Sequence, residues 1–381
     1  MTTTGQSNSA IRVTGRMIVV LFGAIVIASM AGVSAHIAEA VINPALAVVH
    51  DSNDSREGSV WVVNRDRGEL AIFDAETGAV VTTLLVGAGA HDICISERAR
   101  KAYITAETIH RVTTVDTRTL ATESIDVSPL PHHLEPSHDG RTVYVSLASH
   151  TSTVGSPQYA ALDTVDNSVS FTTTSRNAAA RSHAPHPSIE GGKVYAAHDL
   201  GDEVSGIDAE TGNIDFSVAP ILKAEEVIAT RFGRKLWVSS RRDGTVKRIN
   251  LDTHVITGSV AVGVQPESVM LTPSERTLVV SLRGSPATLA FVDTVNLSLI
   301  GTVQIAGAGT FGDLAVITND GRHVYATFDA GASGTGGVAV VDVRKRTVLA
   351  TWAYPGTGRP HGIWYSRQKA RFNAPAKKPS N

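Results

Sequence analysis

The sequence predicts an all-β chain folded into a closed ring of seven four-stranded blades, and three observations lead there. An aromatic-rich segment recurs at Trp61, Tyr103, Tyr144, Tyr195, Trp237, Val279 (the one aliphatic member) and Tyr325, at spacings of 42, 41, 51, 42, 42 and 46 residues. Each copy continues through a second apolar run, an Asp or Asn turn and a third run. After the last copy comes one extra strand-like segment, His361-Gly362-Ile363-Trp364-Tyr365. A period of about 40–45 residues made of short alternating runs is what a four-stranded propeller blade needs. A single blade cannot bury both its faces, so the blades must stack around an axis. The first repeat opens on the aromatic strand, so its three strands need the C-terminal one to complete a seventh blade. That shared blade closes the ring and removes exposed edges.

In chain order, residues 1–40 read as an export signal or N-terminal membrane anchor. Arg12 and Arg16 precede an unbroken small-and-apolar run from Met17 to Ala35. This is the layout of a secretory leader, and the run is long enough to span a bilayer. Residues 41–58 read as a linker that ends in the polar stretch Asp51–Gly58, and residues 59–366 form the ring. Residues 367–381 read as a basic, solvated tail with Lys369, Arg371, Lys377 and Lys378 and no apolar period. A net charge of -2 and a pI near 6.7 offer no basic field, so nucleic acid is not an expected partner. Membrane contact is expected only through the N-terminal segment. The single cysteine, Cys94, excludes an intrachain disulfide and reads as a small buried apolar group between Ile93 and Ile95.

Within the first repeat the runs are Val60–Val63, Leu70–Phe73 and Ala79–Leu85. Asp74-Ala75-Glu76-Thr77-Gly78 separates the last two, and the same five residues return at Asp208–Gly212. Equivalent turn openers are Asp116, Asp163, Asn250, Asp293 and Asp342. An Asp or Asn side chain caps backbone N–H groups two residues on, and Gly supplies positive φ. These seven residues are therefore hairpin punctuation and not a catalytic set. A second turn, Ser137–Arg141 and again Thr318–Arg322, joins each inner strand to its aromatic strand.

These motifs resemble the YVTN β-propeller repeat family. Tyr103-Ile104-Thr105 matches its aromatic strand, Ile207-Asp208 its turn, Gly263-Val264-Gln265-Pro266 its approach to the inner strand, and Ser137-His138-Asp139-Gly140-Arg141 its second turn. The resemblance covers residues 59–365. It implies the fold, while function stays open, because such propellers serve as enzymes, cofactor holders, surface proteins and binding modules.

Chemistry is expected where the inner strands enter at the mouth of the central channel. Those entries are His91-Asp92, His132-His133, His186-Pro187, Glu225-Glu226, Glu267-Ser268, Gly312-Asp313 and His361-Gly362. Histidine is only 14 of 381 residues, yet four neighbouring blades place one at this position and the next two place glutamate. Imidazole and carboxylate are preferred zinc ligands, and imidazole also suits copper. The expected metal set is His91, His132, His186, His361, Glu225 and Glu267, holding one divalent transition ion, zinc or copper. The loops after the aromatic strands reach the same face and add His150, His198, Asp199, Arg242, Arg241 and Arg283. His133, His183 and His198 are expected to add ligands or to orient imidazoles. Arg241 and Arg283 are expected to hold an anionic ligand by forked hydrogen bonds.

Three functional readings follow. The first is an exported binding propeller that holds a metal or a metal-bound small ligand at the channel mouth. The second is hydrolytic. Pro131-His132-His133-Leu134 and His183-Ala184-Pro185-His186, followed by Asp199-Leu200-Gly201-Asp202, are similar to the seven-bladed lactonase family, which implies a lactone-cleaving enzyme built on the same ring. The third is an extracellular scaffold with a protein or glycan partner on that face, the histidines being water-bonded polar lining.

Overall fold

The computed structural model describes residues 56–370 apart from 128, 148–155, 175–180, 232–233 and 332–333. The leader, nearly all of the linker, His150 and the tail beyond Ala370 lie outside the described residues. Among the described residues, 28 strands pair into seven four-stranded sheets, with one short 3-10 turn at Glu107–Ile109. Six blades are continuous in sequence. Their inner strands are Ala90–Ser96 in blade 1, Pro131–Pro136 in blade 2, Ser182–Pro187 in blade 3, Ala224–Ala229 in blade 4, Pro266–Leu271 in blade 5 and Phe311–Ile317 in blade 6. Blade 7 is shared: its inner strand Pro360–Ser366 pairs antiparallel with Ser59–Asn64, which leads on to Glu69–Asp74 and Val80–Leu85. The ring closes as the phase of the repeats predicts.

The aromatic strands lie second from the axis and are buried on both faces, which explains their nearly continuous apolar composition. In Ser59–Asn64 all six residues are buried. Val60 and Val62 pack toward blade 6, against Leu314, Tyr325 and Val340. Trp61 and Val63 face the other way, into Ile93, Ile95 and Ile104 of blade 1. Side chains on a strand alternate between its faces, so one strand serves two inter-blade cores. The outermost strands border solvent and alternate in exposure, as in Val80–Leu85. Each Asp or Asn turn forms as its chemistry requires. Asp74 Oδ1, for example, accepts the N–H groups of Glu76 and Thr77 at 3.1 and 2.9 Å.

One recurring irregularity positions the channel mouth. In blade 1, Ala90 pairs with Ala106 and Ile93 with Ile104, so His91 and Asp92 together face the single residue Thr105. The other six inner strands carry the same one-residue bulge. A bulge re-aims the side chains beside it, and here it brings both His132 and His133 to the channel. A hydroxyl on the aromatic strand secures the bulge. Thr105 Oγ1 accepts from Asp92 N–H at 3.0 Å and donates to the His132 carbonyl of the next blade at 2.6 Å. Ser239 repeats this between Glu226 and Glu267 at 3.0 and 2.6 Å.

Candidate functional site

The first bulge residue of each inner strand forms a ring at the mouth: His91, His132, His183, Glu225, Glu267, Asp313 and His361. These positions follow the paired residues Ala90, Pro131, Ser182, Ala224, Pro266, Gly312 and Pro360. All but Asp313 line a cavity of ≈ 290 Å³, together with His133, Arg241 and Arg283.

One side of this cavity is imidazole. Ring centroids lie 3.9 Å apart for His361 and His91, 4.0 Å for His91 and His132, and 4.5 Å for His132 and His133. One ring nitrogen each from His91, His132 and His133 falls within 4.8 Å of the others. Two of these rings are oriented by carboxylates. His132 Nδ1 bonds Glu107 Oε1, and Glu107 is held in turn by Arg65 Nη2 at 2.6 Å. His133 Nδ1 lies 3.0 Å from Asp92 Oδ2. Among the described residues, His133 Nε2 and His91 Nδ1 are buried without a hydrogen-bond partner, while His361 Nε2 lies 3.4 Å from Asp313 Oδ1. An unsatisfied buried polar group costs about 1–3 kcal/mol, so the cluster of orphaned nitrogens has the form of an awaiting ligand site. Burial, reinforced by neighbouring imidazoles, holds His91 and His132 well below the ordinary histidine range. For His361, burial acts together with Arg283, His133 and Arg65 to the same effect. Both effects favour the neutral form of these rings, the form that coordinates a metal.

The other side is a chain of ion pairs. His183 Nε2 lies 2.8 Å from Glu225 Oε2. Burial alone would depress His183, but the Glu225 carboxylate outweighs it and raises the imidazolium to about 9. Arg241 Nη1 bridges Glu225 at 2.8 Å and Glu267 at 3.2 Å. Arg283 Nη1 bridges Glu267 at 3.4 Å and Asp313 at 3.5 Å. Burial pushes the Asp313 carboxyl up to about 7 against the pull of Arg283. His183, Glu225 and Glu267 also have metal-like spacing. Their charges are already neutralised by one another and by two arginines, so this group forms a salt-bridge network.

Of the residues expected at the mouth, His91, His132, His361, Glu225 and Glu267 meet there, and His133, His183, Arg241 and Arg283 join them. His186 does not. The pairing of Ser182 with His198 puts His183 at the bulge. His186 lies three residues deeper, where its Nδ1 is 3.0 Å from Glu135 Oε2. Pro185 before His186 mimics the proline that opens other inner strands, and this misplaces the register when only sequence is read. His198 lies apart from the cavity, buried in blade 3 with its Nε2 3.0 Å from Ser205 Oγ. Arg242 is an exposed partner of Asp202 at 3.2 Å. Cys94 is buried, and that burial raises its thiol well above the ordinary range. Sequence reading passed over Arg65, Glu107 and Arg181, which come from loops without repeat periodicity. It placed Gly312-Asp313 at the mouth but kept Asp313 out of the ligand set, and the equivalence of Asp313 to His361 becomes visible once Gly312 is aligned with Pro360.

No protein-family model matches the chain, and no curated protein matches it. The YVTN resemblance therefore rests on the repeat motifs alone. Among solved structures, the periplasmic gluconolactonase PpgL of Pseudomonas aeruginosa is similar at 17% identity and a TM-score of 0.64, over 81% of this chain and 98% of that one. A putative 6-phosphogluconolactonase of Bacteroides fragilis is similar at 14% identity and 0.62, over 82% and 98%. Dihydro-heme d1 dehydrogenase NirN is similar at 14% identity and 0.57, over 81% and 75%. At these identities the likeness is one of fold.

Proposed function

We propose that this propeller is an exported metal-binding protein whose centre is the imidazole side of the channel mouth, with His91, His132 and His133 as ligands and His361 as a fourth. One observation carries the reading. His91, His132 and His133 each bring one ring nitrogen within 4.8 Å of the others, and carboxylates orient two of the three rings. A carboxylate on the far nitrogen fixes the tautomer and orientation of a metal-binding histidine. The donor set is imidazole with no thiolate, which suits zinc or copper. Glu225 and Glu267, committed to arginine and imidazolium, are not ligands in this proposal.

Elemental analysis tests it, on full-length protein purified without an affinity tag from the extracytoplasmic fraction that its leader is expected to reach. About one zinc or copper per chain is expected. H91A combined with H132A should abolish binding, whereas H186A should leave it intact. Equal metal content in the double variant and the parent would sink the proposal. A hydrolytic reading is favoured by neighbours named as gluconolactonases. Gluconolactone turnover by metal-stripped protein would replace the metal reading with that one.

A further inference from the structure

We propose that the ligand taken by this mouth is a small oxyanion, a carboxylate or phosphate, gripped by the guanidinium groups of Arg65 and Arg283. The inference rests on the metal-centre reading for its inner anchor, while the arginine grip stands on its own geometry. Arg283 spends only Nη1 on Glu267 and Asp313; among the described residues no acceptor meets its Nε or Nη2. Arg65 spends Nη2 on Glu107, and its remaining side-chain donors are likewise unmet among the described residues. Both side chains line the same cavity as the imidazoles and are partly exposed, at 24% and 33%. Both lie near enough to His361 for their charges to act on it. Arg283, with its Nε and Nη2 fork unused beside the imidazoles, matches the geometry of an oxyanion, and Arg65 adds a single donor.

Charge balance points the same way. The lining holds five cationic groups, four arginines and His183, against the three carboxylates Glu107, Glu225 and Glu267, with Asp92, Asp199 and Asp313 behind it and Lys223 on Glu225. A divalent ion bound here adds positive charge to a lining already rich in cations, which an anionic ligand offsets. The ≈ 290 Å³ cavity lies at the small end of ligand sites, so the ligand is compact.

Calorimetric titration of the full-length, zinc-loaded protein with inorganic phosphate and, separately, with succinate tests the proposal and tells the two anion sources apart. At least one should bind at the mouth. R65Q and R283K should each weaken it roughly tenfold or more, as expected for a lost charge-assisted hydrogen bond. R283K keeps a cation against Glu267 and Asp313, so it isolates loss of the fork without leaving buried carboxylates unpaired. Metal content is read in the same samples. Arginine-dependent anion binding without metal would keep the grip and remove the metal reading. Metal binding with no anion bound at millimolar concentration would overturn this inference alone, as would parental affinity in both variants.

Discussion

His132 and His183 occupy the same position in adjacent blades yet hold opposite charge states. Burial, reinforced by the surrounding imidazoles, holds His132 well below the ordinary histidine range even with Glu107 on its Nδ1; at His183 the Glu225 carboxylate outweighs burial and holds the cation up to about 9. Position in the repeat therefore sets where a side chain goes, and its cross-blade neighbours set what it can do. His198 offers a test away from the mouth. Burial lowers it from 6.5 to about 4, with Asp199 opposing. The unfolded chain thus takes up a proton as pH falls through 6.5 while the native protein does not until about 4. Stability contributed by neutral His198 is present above 6.5 and is lost across that window, by up to about 3 kcal/mol. H198N should flatten the fall of the urea midpoint between pH 7 and pH 4. Superimposable pH profiles for variant and parent would show that His198 does not drive it.

At the scale of the strand, the bulge and its hydroxyl act as one device. Thr105, Ser146, Ser239, Ser281 and Thr327 stand opposite bulges, whereas blades 3 and 7 have Ala197 and Val63 there. T105V keeps the shape and removes both hydrogen bonds, leaving the Asp92 N–H and the His132 carbonyl unmet. The expected cost is about 1–3 kcal/mol, read as a lower urea midpoint at unchanged m-value. A loss below about 0.5 kcal/mol, the usual size for a neutral surface change, would mean that the hydroxyl does not secure the bulge. The turn chemistry was legible from composition because an Asp side chain capping its own turn is a local event. The bulge was not, since its signal is a pairing offset between two strands. That offset is why His186 was expected where His183 stands.

For the molecule as a whole, closure joins segments nearly 300 residues apart. Trp61 pairs with Trp364, and Tyr354 Oη donates to the Glu69 carbonyl at 3.2 Å. Truncation before Pro360 removes the inner strand of blade 7 and bares the edge of Ser59–Asn64. The truncated chain should aggregate or lose its cooperative transition, as judged by size-exclusion chromatography and thermal melting. A monomer with the parental melting temperature would refute closure as a source of stability. Blade number, strand order and turn positions could be read from the sequence, because each follows from burial periodicity and hydrogen bonding within a few tens of residues, and the shared seventh blade followed from the phase offset between the first repeat and the last strand. Which imidazoles meet, and which carboxylate each one faces, was decided only by the tertiary structure. Those contacts cross blades, joining residues 25 positions apart at His132 and Glu107 and 41 apart at His133 and Asp92, and their register depends on a one-residue bulge. Their charge states depend on burial and on neighbours that no single repeat contains.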